Sequence, residues 1–199
     1  FLHGNNFVKV NWATGLDDKG WPIKVPGMSP SREGTRVFPS VQGATNWYAP
    51  AYNEKTGLFY VSSWEYSSVF HKGDPQYTRG NRYVGSLPRG VWPDAMADPE
   101  EQQGYGAIRA LSPDTGEKEW EFKMTGVSES GLLVTGGDVL FSGSMEGYFM
   151  ALDSFTGEQL WMTNLGGRIA ASPMSFEADG KQMVAIASGN SMFVFGLRD

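Results

Sequence analysis

Short apolar runs of strand length, each closed by a turn rich in Gly and Asp, recur along the chain. In "GYFMALDSFTGEQLW" the run Tyr148 to Leu152 is followed by Asp153, Thr156 and Gly157, and a second run, Glu158 to Trp161, returns. Asp at the first turn position and Gly where φ must be positive are hairpin chemistry. "GAIRALSPDTGEKEW" repeats the arrangement, with Gly106 for Gly147, Gly116 for Gly157 and Trp120 for Trp161. Between residues 110–120 and 151–161, six of the eleven letters are identical.

A second hairpin type alternates with the first. "APAYNEKTGLFYVSS" (49–63), "GLLVTGGDVLFSGS" (131–144) and "SPMSFEADGKQMVAIAS" (172–188) each run strand, turn, apolar strand. Their turns fall at Lys55-Thr56-Gly57, Gly136-Gly137-Asp138 and Ala178-Asp179-Gly180. Joined, the two hairpin types make a four-strand unit of about forty residues, the size of a propeller blade. Residues 127–165 hold one complete unit. Residues 45–63 plus 104–123 hold another, interrupted by an excursion at 65–103. Residues 168–197 hold three strands of a last one, and residues 1–12 read as the tail of an earlier one. The expected fold is therefore all-β: about three four-stranded blades of a larger β-propeller. Closed propellers have about four to eight blades, so the rest of the ring is expected on sequence before Phe1 or on another chain. Residues 13–43 and 65–103, rich in Pro and Gly, lack clear periodicity and are expected to be functional or interface-forming.

Composition agrees with many tight turns: 26 glycines, 14% aromatic and only 19% charged residues, too few for long amphipathic helices. The net charge of −6 and the lack of a Lys/Arg cluster argue against nucleic acid as a partner. No apolar run is long enough for a membrane span. With no cysteine, the chain has no disulfide framework and no thiolate-bound metal. Phe1-Leu2-His3-Gly4 resembles no leader peptide, and the chain is expected to be a fragment or a processed piece.

Trp120 and Trp161 are expected to pack between adjacent blades, each indole N–H reaching a buried carbonyl. "GATNWYAP" (43–50) precedes the innermost strand of a blade, and "GGRIAASP" (166–173) is its equivalent; counted back from the prolines, Asn46 pairs with Ile169 and Trp47 with Ala170. An amide and a large flat ring beside a small residue suit a planar polar cofactor. The other reading makes Trp47 core and Asn46 a turn cap. His3 and His71 show no partner at ligand or triad spacing, and Asp17-Asp18 and Glu100-Glu101 read as solvated pairs. These residues alone assemble no catalytic set.

With these repeats in place, the order "FVKVNWATGLDDKGWPI", "GATNWYAPAYNEKTGLFYV", "GAIRALSPDTGEKEWEF" and "SPMSFEADGKQMVAIASG" resembles the C-terminal part of pyrroloquinoline quinone (PQQ)-dependent alcohol dehydrogenases. The resemblance implies an eight-bladed propeller with tryptophan-docking motifs and PQQ on its axis. It implies a Ca²⁺ or lanthanide ion, hydride transfer from a primary alcohol to the quinone, and a periplasmic cytochrome c as electron acceptor. Asn46 and Trp47 match the family's Asn-Trp cofactor contact, and Ile169 and Ala170 fall where the last blade approaches PQQ. The metal ligands, the base Asp and a vicinal cysteine pair would precede Phe1, so this chain alone is expected to be inactive. The competing reading is a non-catalytic propeller scaffold of the outer-membrane assembly type.

Overall fold

The computed structural model describes residues 4–73, 76–81, 83, 86–89 and 104–197. His3, Glu100-Glu101 and residues 90–103 of the second excursion lie outside the described residues. The described residues form strands and no helix, and the chain divides into two compact units.

The first unit combines Phe1–Ala44 with Glu65–Gly104. Strands β1 (Ala13–Leu16) and β2 (Pro22–Lys24) form a hairpin, whose turn is capped by Asp17 Oδ1 accepting the amides of Lys19 and Trp21, both at 2.9 Å. The next strand is β3 (Thr35–Val37). The chain then makes β4 (Ala51–Asn53) and β5 (Leu58–Glu65), which belong almost wholly to the second unit, before β6 (Ser68–Lys72) and β7 (Ser86–Arg89) return to pair with β3 in the order β3-β6-β7. The two aperiodic segments of the sequence thus carry strands. Their pairing joins residues far apart in the chain, Thr35 with Phe70 and Val37 with Ser68, and short strands paired this way leave no local repeat.

The second unit, Thr45–Trp64 with Tyr105–Asp199, is a succession of antiparallel sheets. Strands β8 (Tyr105–Leu111) and β9 (Lys118–Met124) complete a sheet ordered β4-β5-β8-β9. Strands β10 (Leu133–Val134), β11 (Val139–Gly143), β12 (Tyr148–Asp153) and β13 (Gln159–Asn164) make the next. Strands β14 (Met174–Ala178), β15 (Lys181–Ser188) and β16 (Ser191–Gly196) make a three-stranded one. We call these blades one, two and three.

The core lies between blades, as it must where each sheet is too small to bury its own face. Tyr60, Ile108, Ala110 and Met124 of blade one meet Leu132, Leu140, Met150 and Leu152 of blade two. Phe149 of blade two meets Ile169, Val184 and Ile186 of blade three. Polar pins cross the first interface at its turn end. Trp120 donates its indole N–H to Ser154 O at 3.1 Å, and Tyr60 Oη donates to the same carbonyl at 2.9 Å. Gly157 has φ +75°, and a Cβ there would fall 2.5 Å from the Trp120 ring, so this position needs glycine twice over.

Candidate functional site at the inner ends of the blades

The innermost strands share one register. Ala51 pairs with Tyr60, Leu133 with Phe141 and Met174 with Ala185, which sets these three residues at one rank. Two residues earlier the chains touch: a side chain on Gly131 would run into Ser172 and the Ala49 methyl. Leu132 N donates to Ala49 O at 2.8 Å, and Ser130 Oγ to Ala171 O at 2.8 Å, tying the three entries together. Two residues earlier again stand Trp47, Glu129 and Ala170.

Trp47 is 72% exposed and rests on a buried support. Its ring leans on Tyr48, with centroids 4.7 Å apart, and Tyr48 leans on Trp64 at 5.7 Å. Trp64 is buried and anchored by its indole N–H to Ser128 O at 3.0 Å. Asn46 is exposed beside Trp47, and its Oδ1 accepts the Trp47 amide at 2.9 Å, so the Asn side chain itself shapes the bend. Trp47 is therefore not a core residue. A large exposed indole on a fixed aromatic base is a ready platform for a flat molecule.

Blade three contributes differently from the sequence expectation. Ile169 is fully buried, packed against Gly143, Phe149, Val184 and Ile186, so its side chain is unavailable to a ligand and serves the core. Ala170 is half-buried. The neighbouring Arg168 forms an ion pair with Glu129 of blade two. Burial raises the pKa of the Tyr48 phenol, and the charge of Arg168 works against that rise, so this cation is felt from blade one as well. Tyr48, Glu129 and Arg168 escaped the motif reading; placing Glu129 at the rank of Trp47, by aligning Gly131-Leu132-Leu133 with Ala49-Pro50-Ala51, would have found one of them.

His71 lies in the first unit, with Nδ1 3.3 Å from Arg32 O. Asp153 caps its own turn through the amides of Phe155 and Thr156. Among the described residues no cluster of His, Asp and Glu could hold a metal. A groove of about 600 Å³ opens at the opposite, turn end of blades one and two, lined by Thr56, Asp114, Trp120 and Phe155, and shares no residue with the Asn46–Trp47 corner.

Adjoining four-stranded sheets joined by docked tryptophan define the class: blades of a β-propeller. Over nearly its whole length the chain resembles the PQQ-dependent quinoprotein alcohol dehydrogenases. It is 34% identical to quinoprotein alcohol dehydrogenase PedH of Pseudomonas putida, over 95% of this chain and 32% of that protein. It is also 34% identical to the 1-butanol dehydrogenase (cytochrome c) of Thauera butanivorans, over 95% of this chain and 28% of that protein. Among solved structures, the quinohemoprotein alcohol dehydrogenase of Comamonas testosteroni superposes with a TM-score of 0.83 at 25% identity, covering 96% of this chain and 29% of that one. A europium-containing methanol dehydrogenase gives 0.76 at 31% identity, covering 90% of this chain and 31% of that one. The profile of the family described as outer membrane protein assembly factor BamB matches residues 104–199. The chain spans about a third of the length of the curated relatives it matches.

Proposed function

We propose that this chain is the C-terminal part of a periplasmic PQQ-dependent dehydrogenase that oxidises a primary alcohol and passes electrons to a cytochrome c. The observation that carries the reading is Trp47: an indole 72% exposed, on a buried ring stack, at the inner end of a blade. That platform fits a planar, polar tricyclic quinone, and Asn46 beside it fits the quinone's polar edge. Bound PQQ would supply the hydride-accepting chemistry. The residues of this chain would bind and orient it: Trp47 by its face, Asn46 at the edge, and Ala170 by leaving room. Ile169 has a packing role only. The Ca²⁺ or lanthanide ion and the general base would come from other parts of the full-length protein, as would the remaining blades.

The scaffold reading has one observation in its favour, the match of residues 104–199 to a non-dehydrogenase description. Those residues are the repeat itself. Asn46 and Trp47 lie outside them, as does the rest of the region shared with the dehydrogenases. Reconstituting full-length apo-protein with PQQ and Ca²⁺ or a lanthanide, with a dye as acceptor, separates the two. The dehydrogenase reading expects PQQ-dependent oxidation of short primary alcohols. PQQ binding and turnover both missing with every metal would leave the scaffold.

A further inference from the structure

Arg168 and Glu129 are charged residues where the blades' inner ends meet. Glu129 precedes the inner strand of blade two at the rank of Trp47, and Arg168 lies in the approach to blade three. The Glu129 side chain is only 17% exposed, whereas that of Arg168 is 53% exposed. The better-covered carboxylate thus holds a guanidinium that faces open space. Among the described residues Glu129 is the one ion-pair partner of Arg168. A guanidinium carries five N–H donors in a rigid fork, and a single carboxylate does not use them all.

The backbone beneath Arg168 is fixed. Its carbonyl accepts the Gly189 amide at 2.8 Å, and the next amide, of Ile169, donates to Ser144 O at 3.2 Å. The buried Ile169 side chain anchors the same segment in the core. Only the Arg168 side chain is displayed, and Glu129 sets its direction. The charge of Arg168 reaches Tyr48, the ring on which Trp47 rests. Glu129 stands at the rank of Trp47, next to the point where Leu132 N bonds Ala49 O, so the guanidinium it holds lies at the same inner end as the Trp47 face, and the two together match a planar or chain molecule that bears a carboxylate.

We infer that Arg168, oriented by Glu129, is a carboxylate-binding residue beside Trp47. This rests on the dehydrogenase reading for the ligand's identity and not for its chemistry. The carboxylate has two possible sources: the quinone cofactor, which carries three, or an alcohol substrate with an acid group at its far end. Glu129 acts through Arg168 and is a positioning residue.

The test uses full-length apo-protein, wild type and the variants Arg168→Gln, Arg168→Lys and Glu129→Gln, each checked for folding by thermal melt. Binding of PQQ is measured by equilibrium dialysis, and binding of benzene-1,3,5-tricarboxylate, a flat non-redox probe, by tryptophan quenching. After saturation with PQQ, kcat/KM is compared for 3-hydroxypropanoate and 1-propanol. If the cofactor is the source, R168Q weakens PQQ binding about tenfold or more, R168K recovers part of it, E129Q falls between, and the substrate ratio stays put. If the substrate is the source, PQQ binding is unchanged and the preference for 3-hydroxypropanoate over 1-propanol drops about tenfold in R168Q. Folded R168Q that equals wild type toward PQQ, the probe and the substrate ratio overturns the inference, leaves the pair an inter-blade contact, and leaves the dehydrogenase reading standing. Wild type that ignores PQQ but binds the probe through Arg168 sinks the dehydrogenase reading and keeps this one. Wild type that binds neither compound and shows no Arg168-dependent substrate ratio overturns both.

Discussion

Trp120 and Trp161 close the same eleven-letter motif in different surroundings. Trp120 donates to Ser154 O and lies over Gly157 of the following blade. Trp161 stands edge-on to Phe149 and Phe195, at 6.1 Å and 5.3 Å, stays 40% exposed, and its indole N–H meets no acceptor among the described residues. The motif is the same; what faces it is not. Each repeat supplies half an interface, the Trp at one end and the Ser-x-x-Gly turn at the other, and stability depends on the halves meeting.

The largest effect should come from a contact inside one blade, which docking does not touch. Arg109 is 2% exposed, and its Nε donates to Glu121 Oε2 at 2.6 Å. Glu121→Gln removes the negative charge that Glu121 sets against that buried guanidinium, with an expected loss of about 3 kcal/mol in urea unfolding. Burial pushes the Glu121 pKa up, but the hydrogen bond and charge of Arg109, then those of Lys118, outweigh it and hold the pKa below the ordinary value. A carboxyl with a depressed folded pKa stabilises above its unfolded pKa, and that contribution fades as pH falls through the folded one. The acid limb of stability should therefore be flatter in E121Q than in wild type. An equally steep limb would remove Glu121 from the acid response.

Docking itself is tested next by two glycines. Gly157→Ala meets both a positive φ and the Trp120 ring, and should cost about 2–3 kcal/mol. Gly57→Ala has φ +69° but nothing within 4 Å of the added carbon, and should cost about 1 kcal/mol through the backbone alone. Equal costs would mean that the Trp120 contact contributes nothing.

The smallest effect sharpens the comparison most. In full-length protein, Trp120→Phe and Trp161→Phe should each cost about 1 kcal/mol, because the fourth strand of blade three, with the turn that leads to it, is expected to give Trp161 its acceptor. A silent W161F beside a costly W120F would mean that Trp161 stays undocked and that no fourth strand completes blade three there.

The blades were legible because their turns repeat. Asp153, Thr156 and Gly157 are spaced by turn chemistry, and the positive φ of Gly57, Gly116 and Gly157 is a demand that sequence displays directly. The strands of the first unit were not legible, since β3 pairs with β6 across a long separation and three-residue strands carry too few letters for a period. Of the site, Asn46 and Trp47 stood out because an amide and a large flat ring occupy the positions that Ile169 and Ala170 hold in the last repeat. Rank along the chain does not tell which way a side chain points: Ile169 fills the space over Gly143 and is buried in the core. The Arg168–Glu129 pair joins two blades, and such a pairing is visible only once the blades are set side by side.

The account stands or falls on the face at Trp47. Equilibrium dialysis of PQQ against full-length apo-protein, wild type and Trp47→Ala, measures it directly. The account predicts weaker binding by about tenfold or more with an unchanged thermal melt, because the ring is exposed and its removal opens no core. Unchanged PQQ affinity in a folded W47A protein would contradict it.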